Sequence, residues 1–102
     1  MPRKFGWLFI VVALGFSQFS MAGDAAAGQA KSALCAACHG ATGTSANELW
    51  PNLAGQKEGY LIKQMKAFRD GVRSDPLMSP MSKALTDTDI ENIAAFFSGQ
   101  SK

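Results

Sequence analysis

Residues 35–39 read Cys-Ala-Ala-Cys-His, and they hold both cysteines and the lone histidine of the 102-residue chain. Thiols three residues apart stand about one turn from each other on a helix, so both can reach the same neighbour. Few chemistries use that arrangement. A structural zinc needs four ligands, and Cys35, Cys38 and His39 supply three. A dithiol redox motif belongs to a strand–helix–strand context, and no stretch here alternates like a strand. A disulfide across so short a loop stabilises little and leaves His39 without a role. The spacing fits the attachment of one c-type haem, with both thiols adding to the vinyl groups of one porphyrin. The adjacent imidazole is then placed to ligate the iron on its proximal side. With no second such motif and no other histidine, a second haem and bis-histidine ligation are excluded.

The first 22 residues differ from the rest. Arg3 and Lys4 precede an apolar run from Trp7 to Phe16, and Ser20-Met21-Ala22 places small residues two apart. This is the layout of a secretory signal peptide, with cleavage expected after Ala22. The alternative, a retained anchor, needs about 20 apolar residues. Residues 23–102 are left as one domain. The basic count falls from 10 to 8 with Arg3 and Lys4 gone and matches the 8 acidic residues. A neutral domain without a like-charge run gives no reason to expect nucleic acid. So short a domain buries a modest core, and small scaffolds are usually completed by a disulfide, a metal or a cofactor.

The expected architecture is all-α, three main helices around the cofactor. The first starts at the N-cap Asp24 and runs from Ala25 to about Ala37. Gly28, Ser32 and Cys35 share one face of it, a face of small residues open to close approach. Residues 40–56 are rich in Gly, Thr, Ser and Asn and read as loop, with Trp50 to Gly55 as a compact apolar turn. The second helix covers Glu58 to Asp70 and stops at Gly71. Its stripe is Leu61, Met65 and Phe68, extended to Val72. Lys63, Lys66, Arg69 and Arg73 lie opposite, more simply a solvated face than a docking patch. Pro76 and Pro80 argue for an irregular loop over residues 74–83. The third helix opens at Thr86 with Asp89 as a capping-box partner. It buries Ile90, Ile93, Ala94 and Phe97, with Phe96 at the edge, and ends at Gly99.

The iron's sixth ligand must come from this framework. Met65, Met78 and Met81 are the candidates in the mature domain, with a lysine as a weaker alternative. Met65 belongs to the core stripe. The Pro-bounded loop can cross the distal face and present a thioether, which favours Met78 and keeps Met81 as second choice. Met78 is expected in an extended stretch, and Met81 at the start of a short helical turn toward Leu85.

With these residues in view, the chain resembles the class I c-type cytochromes, in particular small bacterial cytochrome c-553 and cytochrome c4-like single-haem domains. The resemblance runs over nearly all of residues 23–102. It rests on Gly23-Asp24 and Gly28, Cys35 through Gly40, Pro51-Asn52-Leu53-Ala54-Gly55-Gln56, Tyr60-Leu61 with Gln64, Met78 with Met81, and Asp89-Ile90 through Phe97. It implies that Pro51 offers its backbone carbonyl to the second ring nitrogen of His39, a bond that orients and tunes the imidazole. It implies that Leu53 packs on the haem, that Met78 is the distal ligand, and that Gly28 lets the first helix cross the last one closely, against Phe96. Phe96 departs from the hydroxyl-bearing aromatic often found at its position.

The function implied is that of a periplasmic carrier of single electrons rather than an enzyme. A His/Met-ligated iron has no free position for substrate, and methionine raises its potential. The partners implied are redox proteins met in brief encounters, with membrane contact only peripheral and the chain itself monomeric. The alternatives are a haem subunit of a periplasmic dehydrogenase or reductase, and a gas-binding or peroxidase-like protein with an open sixth site.

Overall fold

Asp24 sets the start of the fold. In the computed structural model, which describes residues 23–102, its carboxylate accepts hydrogen bonds from Ala26 N–H (2.9 Å) and Ala27 N–H (3.2 Å). These are donors that an uncapped helix start leaves unpaired. Helix α1 follows as Ala25–Lys31. The leader expected over residues 1–22 lies outside the described residues.

The first helix is not continuous, contrary to the expectation of one run from Ala25 to Ala37. α1 gives way at Ser32 to α2, Ala33–His39. The Ser32 hydroxyl bonds back to the Gln29 carbonyl at 2.9 Å, and Cys35 N–H takes the Ser32 carbonyl at 2.8 Å, three residues back rather than four. A serine that competes for the preceding turn bends a helix. The break falls between the segment that packs on the last helix and the segment that carries the cysteines. α2 also runs two residues past Ala37, taking His39 into its final turn before Gly40.

Helix α3, Glu58–Arg69, ends at Asp70 and turns at Gly71. Its stripe stops at Phe68. Val72 is 85% exposed, because the chain has left the helix by then. Residues 74–83 are also more ordered than their prolines implied. They contain α4, Met78–Ser82. Pro80 is its third residue, and in a first turn the missing proline N–H removes a donor that has no intrahelical acceptor anyway. Met78 therefore opens a helix rather than lying in an extended stretch, and the turn starts at Met78, not Met81. Asp75 directs that start: its carboxylate accepts from Leu77 N–H (2.9 Å) and Met78 N–H (2.8 Å).

The last helix, α5 (Asp87–Ser98), carries the full capping box between Thr86 and Asp89. It is the centre of the molecule. Ile90, Ile93, Ala94, Phe96 and Phe97 are buried along it, joined by Leu61 of α3 and by Leu85. α1 crosses α5 where Gly28 meets Asn92 and Ile93. A β-carbon at Gly28 would collide with the Asn92 carbonyl. The close crossing was legible, and at Gly28 the nearest atoms are those of the α5 backbone at Asn92–Ile93. Asp24 N–H donating to the Asn92 side chain (2.8 Å) fixes the same crossing. Cys35, Leu53, Ile62 and Met65 pack on the edge of this core. All regular elements among the described residues are helices.

Candidate functional site

The pentapeptide occupies the last turn of α2, so Cys35 and Cys38 stand one turn apart and unbridged. Both are half-buried, and Cys35 also packs against the core. That burial pushes its thiol up to about 11, with the neighbouring Cys38 adding to the shift. Beside Cys38 lies an open cleft of about 360 Å³ whose walls include Ala36, Ala37, Gly40, Ala46 and Trp50.

His39 is buried at 7% exposure. Its Nδ1 lies 2.8 Å from the Pro51 carbonyl oxygen. A carbonyl only accepts, so Nδ1 carries the proton and donates it. The lone pair of the neutral ring is then at Nε2, the tautomer a metal ligand needs. Pro51 is itself held by a loop folded back on α2. The Gly43 carbonyl accepts from Leu53 N–H (2.7 Å) and Ala54 N–H (3.0 Å). Asn52 Oδ1 accepts from Ser45 N–H at 2.7 Å, and the Ser45 hydroxyl lies within donating distance of the Cys38 carbonyl (3.1 Å) and the Asn47 carbonyl (2.9 Å). Gly43 must be glycine: its φ is +90°, and a β-carbon would press on Ala54 and the Phe97 ring. Gly43, Ser45 and Asn52 thus position the Pro51 carbonyl, a role the sequence reading missed. The one available signal was the density of turn-forming Gly, Ser and Asn residues between the pentapeptide and Pro51.

The methionines separate by environment. Met65 packs against the core from α3. Met78, at the start of α4, is half-buried. Met81 is 43% exposed. α4 rests on α3, and Asp75, which holds the Met78 N–H, has its carboxyl kept below the ordinary range by its bonds to Met78 and Leu77. Leu53 is half-buried against the core.

The basic face of α3 is less free than its spacing implied. Arg69 donates to the Leu85 carbonyl (3.2 Å) and pairs with Asp70 (2.9 Å) and Asp87 (2.8 Å). Those pairings raise the pKa of the guanidinium and hold both carboxyls below their usual range. Arg73 donates to Gln64 at 2.7 Å and sits 4.5 Å over the Phe68 ring. Of the four cations, Lys63 and Arg73 are exposed and Lys66 is half-exposed; Lys63 makes none of the pairings that hold Arg69 and Arg73.

The donor set fits a covalently held haem: two thiols one turn apart, a buried imidazole whose Nδ1 is taken up by the Pro51 carbonyl, and a thioether on a separate helix. The comparisons agree. The chain is 53% identical over 79 residues to cytochrome c4 of Pseudomonas aeruginosa, covering 78% of this chain but 39% of that protein. It is 49% identical over 82 residues to cytochrome c-554(548) of Halomonas halodenitrificans, covering 78% of this chain and 99% of that one. The crystal structure of reduced recombinant cytochrome c4 from Pseudomonas stutzeri superposes with a TM-score of 0.75 at 45% identity, over 78% of this chain and 47% of that one. The chain thus spans about half or less of the cytochrome c4 proteins and nearly all of the single-domain one. The cytochrome c family profile matches residues 25–101, and with the likeness to those helical structures it makes this chain a member of the cytochrome c family, with the class I fold and haem c as its cofactor.

Proposed function

We propose that the chain is a periplasmic monohaem electron carrier, exported by a leader cleaved after Ala22. In this reading Cys35 and Cys38 hold the cofactor through thioether bonds, His39 Nε2 is the proximal iron ligand and the Met78 thioether the distal one. Pro51 orients the imidazole and strengthens it as a donor, and Leu53 packs on the ring. Bound there, haem c supplies a one-electron couple, which methionine ligation moves to higher potential. With both axial positions filled by side chains, the iron has no place for a substrate, so the chain transfers electrons rather than catalysing a reaction. The partners are redox proteins, met through a small contact whose on-rate is tuned by charge.

The observation that carries the reading is the 2.8 Å bond from His39 to Pro51, since it prepares the lone histidine as a ligand. Met78 is supported over Met81 by its partial burial and its fixed backbone. The test is the sulfur-to-iron charge-transfer band of the oxidised, matured protein. The band is expected to be lost in Met78→Ala and kept in Met81→Ala. The reverse pattern transfers the distal role to Met81, and carbon monoxide binding to the reduced protein at neutral pH overturns the carrier reading.

A further inference from the structure

Among the described residues, one buried side-chain polar atom has no hydrogen-bond partner: the hydroxyl oxygen of Ser82. Ser82 is 1% exposed. An unpaired buried hydroxyl is costly, and native interiors keep few of them. A helical serine ordinarily meets this need through the carbonyl one turn back. For Ser82 that is the Met78 carbonyl, and the hydroxyl does not use it.

Ser82 closes α4 and Met78 opens it. Residues four apart share a helix face, and helical side chains lean toward the N-terminus. The Ser82 hydroxyl is therefore on the face, and over the turn, that carries Met78. Asp75 fixes the Met78 backbone N–H, while the thioether keeps three adjustable torsions. A thioether sulfur is an acceptor, though a weak one.

We propose that Ser82 is a positioning residue for Met78, its hydroxyl donating to the Met78 sulfur when that sulfur serves as the distal ligand. The inference rests on the assignment of Met78 made above. A donor on the sulfur draws density away from its bond to iron. Ferric iron depends on that density more than ferrous iron does, so the hydroxyl raises the reduction potential and steadies the ligand in one rotamer.

The test uses the matured holoprotein and five variants, read by potentiometric titration and by the charge-transfer band. Ser82→Ala and Ser82→Val are expected to lower the reduced-to-oxidised ratio at a fixed poise about threefold, which is about 30 mV for one electron. They are also expected to shift the band. Ser82→Thr keeps the hydroxyl in a side chain the size of valine, and is expected to hold the wild-type potential. In a Met78→Ala background, Ser82→Ala is expected to change nothing further, since contacting groups are coupled. Equal potentials for Ser82→Ala and wild type overturn the proposal, as do equal shifts in the Thr and Val variants or a full shift with Met78 already removed. Those results leave Met78 as the ligand, whereas a charge-transfer band that survives Met78→Ala overturns both assignments.

Discussion

His39 and Pro51 are joined across twelve residues of chain by a 2.8 Å hydrogen bond from the imidazole Nδ1–H to the proline carbonyl. Since the acceptor is backbone, replacing Pro51 does not delete it. The bond is sensitive instead to what holds the loop, above all Asn52 Oδ1 on Ser45 N–H at 2.7 Å. Asn52→Ala is expected to lower stability by about 1 kcal/mol, measured by urea unfolding of the holoprotein. It should also quicken solvent exchange of the His39 Nδ1 proton, seen by NMR. An unchanged exchange rate shows that the loop does not need Asn52 to hold the carbonyl.

Gly28→Ala sets two effects against each other. In an exposed helix the change would gain about 1 kcal/mol from propensity. Here the new methyl meets the Asn92 carbonyl on α5, and overpacking a rigid crossing costs about 1–3 kcal/mol or more. The steric term wins, since backbone cannot rotate away as a side chain can. The variant is expected to unfold at lower urea concentration, and a midpoint at or above wild type would mean that α1 can slide off α5 without penalty.

The capping box gives a pH dependence with a definite sign. The Thr86 backbone N–H donates to the Asp89 carboxylate at 3.0 Å, and this bond, with Lys31 close by, holds the Asp89 carboxyl below its ordinary range. A carboxyl with a lower pKa folded than unfolded stabilises the fold above the unfolded value, about 3.9. That contribution disappears as pH falls through the folded value. The melting temperature is therefore expected to fall more steeply below about pH 4 in wild type than in Asp89→Asn. Parallel curves would show that the cap does not carry the acid response.

The legible parts of this fold were those written in local chemistry. Asp24, Thr86 and Asp89 announced the starts of α1 and α5 because capping depends on residues within one turn of each other. Cys35, Cys38 and His39 were legible because their chemistry is a contiguous spacing. The break at Ser32 was hidden, because a serine reads the same in sequence whether its hydroxyl meets water or the Gln29 carbonyl. α4 was hidden because two prolines suggest a loop until the Asp75 carboxylate is seen accepting from Leu77 N–H and Met78 N–H. The support of Pro51 by Gly43, Ser45 and Asn52 was hidden for a different reason: it depends on how a long loop folds back, and periodicity carries no record of that.

Arg69 and Lys63 lie on one basic face of α3 in sequence, but they should respond differently to mutation. Arg69 spends its donors on Leu85, Asp70 and Asp87, tying the end of α3 to the start of α5. Lys63 is exposed. If the face helps to dock a partner, the free charge does the steering, because long-range attraction acts through charges that are not already neutralised. Lys63→Gln is then expected to slow electron exchange with an acidic redox protein at low ionic strength, with little change in stability. Arg69→Ala is expected to lower the melting temperature, since it leaves the Leu85 carbonyl and two carboxylates without their donor, and to leave the salt dependence of electron transfer near that of wild type. Stopped-flow rates across a salt series, paired with thermal unfolding, separate the two. If Arg69→Ala flattens the salt dependence as much as Lys63→Gln does, the ion pairs with Asp70 and Asp87 do not withdraw Arg69 from the docking field.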